Sequence, residues 1–157
     1  MLSPETTAFL EGGPSFIVGT VDTDGAPTAT RGWGLTVLSA EVGECRLLLD
    51  RDADRALANL EATRAIAVTC ADVPTFFAVQ LKGEFVRLEP ATDADRSRSD
   101  DYVDAFFGDI IRTDGSDLAS LHQMRPNDIV ASIVRFGEIF DQTPGPGAGS
   151  ALPAGSS

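Results

Sequence analysis

The chain reads as a small antiparallel β-barrel with helices packed at its rim, mainly β with some α. Three observations predict it. Short apolar runs with period-two alternation follow one another along the chain, as half-buried strands do. The early runs are joined by tight polar turns, of which Asp22-Thr-Asp-Gly25 is the clearest hairpin signal, with Gly25 supplying a positive φ. Helical patterns occur only at the start, between two middle runs and before the last one, and no G-x-G-x-x-G or P-loop motif is present, which argues against a doubly wound parallel sheet.

In chain order, Ser3-Pro4-Glu5 opens a short helix, with Ser3 as cap and Pro4 at the first helical position, and Gly12-Gly13-Pro14 ends it. Ser15 to Val21 is a strand. Pro27 to Ser39 is a strand pair or one bent strand, with Gly32 and Gly34 bracketing Trp33; Glu41-Val-Gly-Glu44 is a turn, and Cys45 to Asp50 a short apolar strand. Asp52 or Asp54 is the expected cap of a helix running to Ala62, with Leu57 and Leu60 facing the core. Ala65 to Cys70 and Phe77 to Leu88 are strands separated by Asp72-Val-Pro74. Thr92 and Asp95 have capping-box spacing and open a helix carrying Tyr102, Val103, Phe106 and Phe107, read as core or dimer interface. A shorter helix from Leu118 to Met124 precedes a last strand, Ile129 to Asp141. Residues 1–142 thus form one barrel domain. Residues 143–157 are an uncharged Pro/Gly-rich arm whose last ten or so residues are expected to be disordered.

The 157 residues suffice for one domain with a real core, and a net charge of −12 disfavours nucleic acid and anionic membranes as partners. No apolar run is long enough to span a membrane, and Met-Leu-Ser-Pro-Glu lacks the basic head of a secretion signal, so a cytoplasmic location is the default expectation. Cys45 and Cys70 have no metal or redox spacing and read as buried free thiols. A single histidine, His122, leaves no multi-histidine metal site within one chain. Acids crowd Glu89 to Asp117, whereas Arg51 to Leu88 is balanced, so an anionic ligand fits the latter better. That stretch contains the only lysine, Lys82. Alternation puts Val79 and Leu81, with Phe77, on one side of its strand and Gln80 and Lys82 on the other, with Gly83 at a bulge or close backbone approach. The polar pair is either a solvated outer face or the anion-facing wall of a ligand pocket. Trp33, between glycines, is either packed core or a wall that a planar ring approaches. By pattern alone Arg31 and Arg55 are surface charges.

Four segments in order resemble the pyridoxamine 5′-phosphate oxidase-like family, the flavin-binding split barrels. They are Gly19 to Pro27 with Arg31; Leu47 to Asp50 followed by Leu57-Ala-Asn-Leu60 and Arg64 to Val68; Val79 to Leu88; and Phe140 to Gly149. Together they cover roughly residues 8 to 149. The resemblance implies a split barrel, a homodimer with two equivalent interface sites, and FMN, less often a deazaflavin or haem, as cofactor. It assigns Arg31 to the strand lining the flavin, Arg55 to the phosphate, Gln80 and Lys82 to the ring or phosphate, and Trp33 to a neighbouring wall. The family's Ser-Arg-Lys phosphate triplet reads Ala53-Asp54-Arg55 here, the ring-contacting glutamine reads Ala78, and the C-terminal arginine motif for the pyridoxal substrate is missing. The expectation is therefore an FMN- or deazaflavin-dependent oxidoreductase acting on a small molecule, not a true pyridoxamine phosphate oxidase. The alternative is a non-catalytic flavin, deazaflavin or haem-binding barrel with an eroded phosphate site, in which His122 is the conventional haem ligand, with Cys or Tyr as further candidates.

Overall fold

The computed structural model describes residues 2–153. The elements are α1 (Pro4–Glu11), β1 (Ser15–Val21), β2 (Pro27–Ser39), β3 (Glu44–Asp50), α2 (Asp54–Thr63), β4 (Ala65–Ala71), β5 (Ala78–Pro90), α3 (Asp93–Asp114), α4 (Leu118–His122) and β6 (Ile129–Asp141). The six strands close into one antiparallel barrel in the order β1-β2-β3-β6-β5-β4. Closure pairs the edges that an open six-stranded sheet would leave free, except along the end of β6 beyond Arg135. Inward-facing residues alternate along each strand, so Phe16, Val18, Leu47, Leu49, Val68, Cys70, Leu81 and Val134 fill the interior and are fully buried. No helix among the described residues is long and apolar enough to cross a membrane.

Local chemistry accounts for the turns and caps. Ser3 accepts a hydrogen bond from the Thr6 amide at 3.1 Å and caps α1, with Pro4 at the first position. In the β1–β2 hairpin, Asp22 Oδ1 accepts the amides of Asp24 and Ala26 at 2.9 and 2.8 Å, and Gly25 takes φ 85°. Pro27 to Ser39 is one strand, with irregular register between Gly32 and Leu35 where Gly34 adopts φ 134°. Gly83 marks a register shift against β6, and a Cβ there would lie 2.0 Å from the Arg135 carbonyl oxygen. Only glycine lets β5 and β6 approach so closely.

Three expectations are corrected. The cap of α2 is Ala53, with no side-chain hydrogen bond, rather than Asp52 or Asp54. The preceding turn is instead tied by Asp50, whose carboxylate accepts the Asp52 amide and whose carbonyl accepts the Ala53 amide, and Asp54 enters the first helical turn. Phe77 does not share the buried side of β5: it precedes that strand, is 43% exposed, and meets Phe9 edge-on with centroids 4.9 Å apart. Of the last ten or so residues, expected to be disordered, those up to Leu152 are held, because β3 pairs only with β6 residues 129–135 and leaves the far edge of β6 open to them. There Asp141 N donates to Ser150 O, Gly149 N to Asp141 O and Leu152 N to Ile139 O, at 2.7 to 2.9 Å. The remainder of the segment expected to be disordered, residues 154–157, lies outside the described residues.

The helical insert is fastened by two arginines. Arg46 of β3 donates from Nε and Nη2 to the two oxygens of Asp95 at 2.8 and 2.7 Å and also pairs with Glu89. Asp95 at the same time completes the capping box of α3, accepting the Thr92 amide at 2.8 Å. Arg98 reaches the carbonyls of Leu35 and Glu11, joining α3 to β2 and to the end of α1. Both cysteines are free and buried. Burial pushes the Cys45 thiol up to about 12 and also raises Cys70.

The Arg46 hydrogen bonds hold the Asp95 carboxyl down to about 2, below its ordinary value of 3.8. A carboxyl depressed in the folded state stabilises the protein above its unfolded pKa, and that contribution is lost as pH falls from about 4 toward 2. Acid denaturation followed by circular dichroism should therefore show this loss, and Asp95→Asn should flatten it while costing about 3 kcal/mol at neutral pH, because it breaks a partly buried ion pair. Gly83→Ala should cost on the order of 3 kcal/mol in a chemical-denaturation experiment, since backbone rather than a flexible side chain occupies the space.

Candidate functional site

Pairing around the barrel sets outward-facing side chains in rows. One row runs Arg31, Ile17, Thr69, Gln80, Phe140 across β2, β1, β4, β5 and β6. The next runs Ala29, Gly19, Ala67, Lys82, Glu138. Glycine and alanine at the centre of the second row leave a hollow, and a cavity of about 480 Å3 opens over Gly19, Val21, Ala65, Ala67, Lys82 and Glu138. Its floor is mostly apolar, with one ammonium and one carboxylate on the same side.

Lys82 is exposed, and its Nζ lies 4.4 Å from the centroid of the Phe140 ring, within cation–π range. No carboxylate among the described residues pairs with it. Gln80 is half-buried and donates from Nε2 to Thr69 Oγ1 at 3.1 Å, so its amide is oriented by the neighbouring strand. The two polar residues of β5 therefore share the outward face, and Lys82 borders a concave apolar surface.

The other three residues singled out in the sequence lie elsewhere. Arg31 shares the outward row with Gln80 but is three strands away, roughly 14 Å at ordinary strand spacing. Its guanidinium sits 5.7 Å from the Phe106 ring centroid of α3. Trp33 is 3% exposed and belongs to the hydrophobic core. Arg55 is exposed in the first turn of α2. The end of α2 that borders the cavity is its C-terminus: Thr63 Oγ1 donates to Val21 O at 2.9 Å, and Ala65 of the cavity follows directly. A helix C-terminus presents carbonyl dipoles and disfavours an anion. The amides of Asp54 and Arg55, which no side chain caps, are thus about 13 Å away along the helix.

Glu138, Phe140 and the small residues Gly19 and Ala67 complete the site and were not singled out from the sequence as site residues. Alternation in Arg135 to Phe140 hints that Glu138 and Phe140 face the same way, but only the β5–β6 register places them beside Lys82. His122, at the end of α4, is exposed and meets the Phe107 ring edge-on at 5.9 Å.

The profile of the pyridoxamine 5′-phosphate oxidase family matches residues 2–131. The chain belongs to that family. Among curated proteins, none matches. Solved structures with the same fold include an F420 reductase (18% identity, 87% of this chain and 98% of that one, TM-score 0.52). An FMN-binding protein from Syntrophomonas wolfei subsp. wolfei aligns at 12% identity over 85% of this chain and 81% of its own, with TM-score 0.53. HutZ, the haem storage protein from Vibrio cholerae, aligns at 16% identity over 89% and 94%, also with TM-score 0.53. At these identities the likeness establishes the barrel fold and leaves the ligand to the site's own chemistry.

If the hollow depends on its small floor, Ala67→Leu should fill it without unfolding the barrel, because the added side chain points outward. Thermal melting of the variant should stay within about 1 kcal/mol of the parent, as for surface changes generally. Uptake of an apolar fluorescent probe by the same variant should fall.

Proposed function

We propose that this member of the family is a flavin-dependent oxidoreductase acting on a small molecule, with FMN as first candidate, a deazaflavin second, and the ligand seated over Lys82. The observation that carries the reading is the juxtaposition of a concave, mostly apolar, small-residue floor with the Lys82 ammonium, which pairs with no carboxylate among the described residues, and with an oriented amide in the neighbouring row. Such a floor suits a planar ring, and a cation beside it suits the negative charge that gathers on a reduced flavin. A bound flavin supplies the electron chemistry. Lys82 opposes developing anionic charge, Gln80 offers a fixed amide, and Ala67 with Gly19 lets the ring lie close to the backbone. The absence of the pyridoxal-binding arginine motif argues for a substrate other than pyridoxamine phosphate.

A homodimer belongs to the same proposal. Ile17 is 41% exposed in the row beside the cavity, and a second copy covering that face would bury it and dry the site. A cytoplasmic location also remains part of the reading.

One observation favours a second reading, a non-catalytic carrier of flavin, deazaflavin or haem. Among the described residues no arginine lines the cavity as a clamp for a phosphate: Arg31 and Arg55 lie away from it, and Asp54 brings a carboxylate into the first turn of α2. For haem, exposed His122 is the available imidazole.

Visible absorption of the purified protein, before and after FMN and desalting, separates these. A retained two-band flavin spectrum that bleaches with a nicotinamide donor supports the oxidoreductase. A retained spectrum without reduction supports the carrier. A single deazaflavin band or an intense haem band reassigns the cofactor. Lys82→Met should weaken FMN retention roughly tenfold or more, as loss of one charge-assisted hydrogen bond would, and Arg31→Ala less. Equal retention by both variants and the parent would remove these residues from the site. Light scattering should give twice 16.5 kDa; a monomer mass would remove the interface.

A further inference from the structure

A second hollow adjoins the Lys82 cavity. Its volume is about 350 Å3, and Val42, Gly83, Glu84, Arg135, Phe136 and Gly137 line it. Its surface is mostly apolar. Gly83 lines both hollows, so they meet where the β5 and β6 backbones come closest. Val42, in the turn between β2 and β3, is 49% exposed and forms a wall.

Two glycines beneath these hollows are not required by the fold. Lys82 pairs with Glu138 and Gly83 with Phe136, so Gly137 is the extra residue of a bulge in β6. It has no positive φ, and a Cβ there would meet nothing within 4 Å. Gly19, under the Lys82 cavity, likewise has no positive φ, and its Cβ would meet only the Ala67 carbonyl oxygen at 3.6 Å, an ordinary contact. Gly83 between them differs, because there the β6 backbone itself excludes a Cβ. Glycine weakens a strand, since it has no side chain to pack. At positions 19 and 137 the chain's own atoms leave room for a larger residue. The physical effect of glycine at both is a bare backbone floor, which a second molecule can approach closely.

Charge sets the class of that molecule. Arg135 is the only cation among the six lining residues of the second hollow, and it is committed to Glu44 at 3.2 Å and Glu84 at 3.5 Å. Two carboxylates on one guanidinium leave an excess of one negative charge, which disfavours an anion. Both carboxylates already face Arg135, so neither is free to hold a ligand cation. The volume lies within the range of small-molecule sites, roughly 300 to 1,000 Å3.

We propose that the hollow over Gly137 binds an uncharged, largely apolar small molecule, edge to edge with the ligand over Lys82. With a flavin over Lys82 the occupant is its substrate, a role that rests on the proposed function; the binding itself does not.

Fluorescence titration of the flavin-free full chain with the uncharged dye Nile red tests this. Ala67→Leu fills the Lys82 cavity, so dye binding that remains in that variant reports the hollow over Gly137. Adding Gly137→Val should weaken the remaining binding about tenfold or more, because the added carbons occupy the floor. The melting temperature should stay at or above that of Ala67→Leu alone, since a β-branched residue favours a strand. Val42→Glu, a change at an exposed position, should also weaken dye binding. Anilinonaphthalene sulfonate, an anion, should bind more weakly than Nile red. Absence of dye binding in Ala67→Leu, or binding that Gly137→Val leaves unchanged, would overturn the site. A lower melting temperature in Gly137→Val would show that the fold needs this glycine and would remove the argument's basis. Tighter binding of the anion would overturn the uncharged class. A mass halved by Gly137→Val in light scattering would assign the floor to a second copy of the chain instead. Failure of the parent to retain FMN would count against the flavin alone and leaves each of these outcomes as it stands.

Discussion

Arg46 is the point at which the barrel and its long helical insert become one structure. It projects from β3 and is held by Asp95, which also closes the capping box at the start of α3. One carboxylate therefore settles where the helix begins and where it is attached. Glu89, near the end of β5, joins the same guanidinium, so β3, the end of β5 and the start of α3 converge on one planar group. Arginine suits this position because its fork satisfies two acceptors in fixed directions, which a lysine would not. From that anchor α3 runs across β2, where Arg98 fastens it again and Tyr102 meets Phe16 with centroids 5.4 Å apart. The position of Phe106 against Arg31 follows from that path.

The distribution of charge follows from these attachments. Most arginines are committed to carboxylates or carbonyls that hold helices and strand ends together. Lys82 is not, and the outward face around it is otherwise apolar or neutral, apart from Glu138. On a strongly acidic chain, a face with an unpaired cation and small residues is where an electron-rich planar ligand meets least repulsion.

Much of the fold was legible along the chain. The Asp22–Gly25 hairpin, the Ser3 and Thr92–Asp95 caps, the Gly83 close approach and the alternation of β5 are local chemistry, and each is found where the residues place it. The errors arose where local signals compete. Asp52 and Asp54 both resemble caps, but the Asp50 carboxylate and carbonyl take the turn amides first and leave Ala53 as the cap. Phe77 extends the apolar alternation of β5 on paper, yet it lies outside the strand, edge-on to Phe9. The Pro/Gly arm has no pattern of its own, and it is held by the unpaired edge of β6, which its own composition does not reveal.

The sequence by itself determined the strand and helix order, the antiparallel barrel class, and the shared face of Gln80 and Lys82, because period-two alternation and turn chemistry act over a few residues. Only the tertiary structure decided which strands neighbour one another. That choice set Glu138 and Phe140 beside Lys82, sank Trp33 into the core, left Arg55 at the far end of α2 and gathered Arg51, Arg96, Arg125 and Asp128 at the foot of β6. Register and closure depend on contacts between residues tens of positions apart, and no local pattern encodes the partner of a strand.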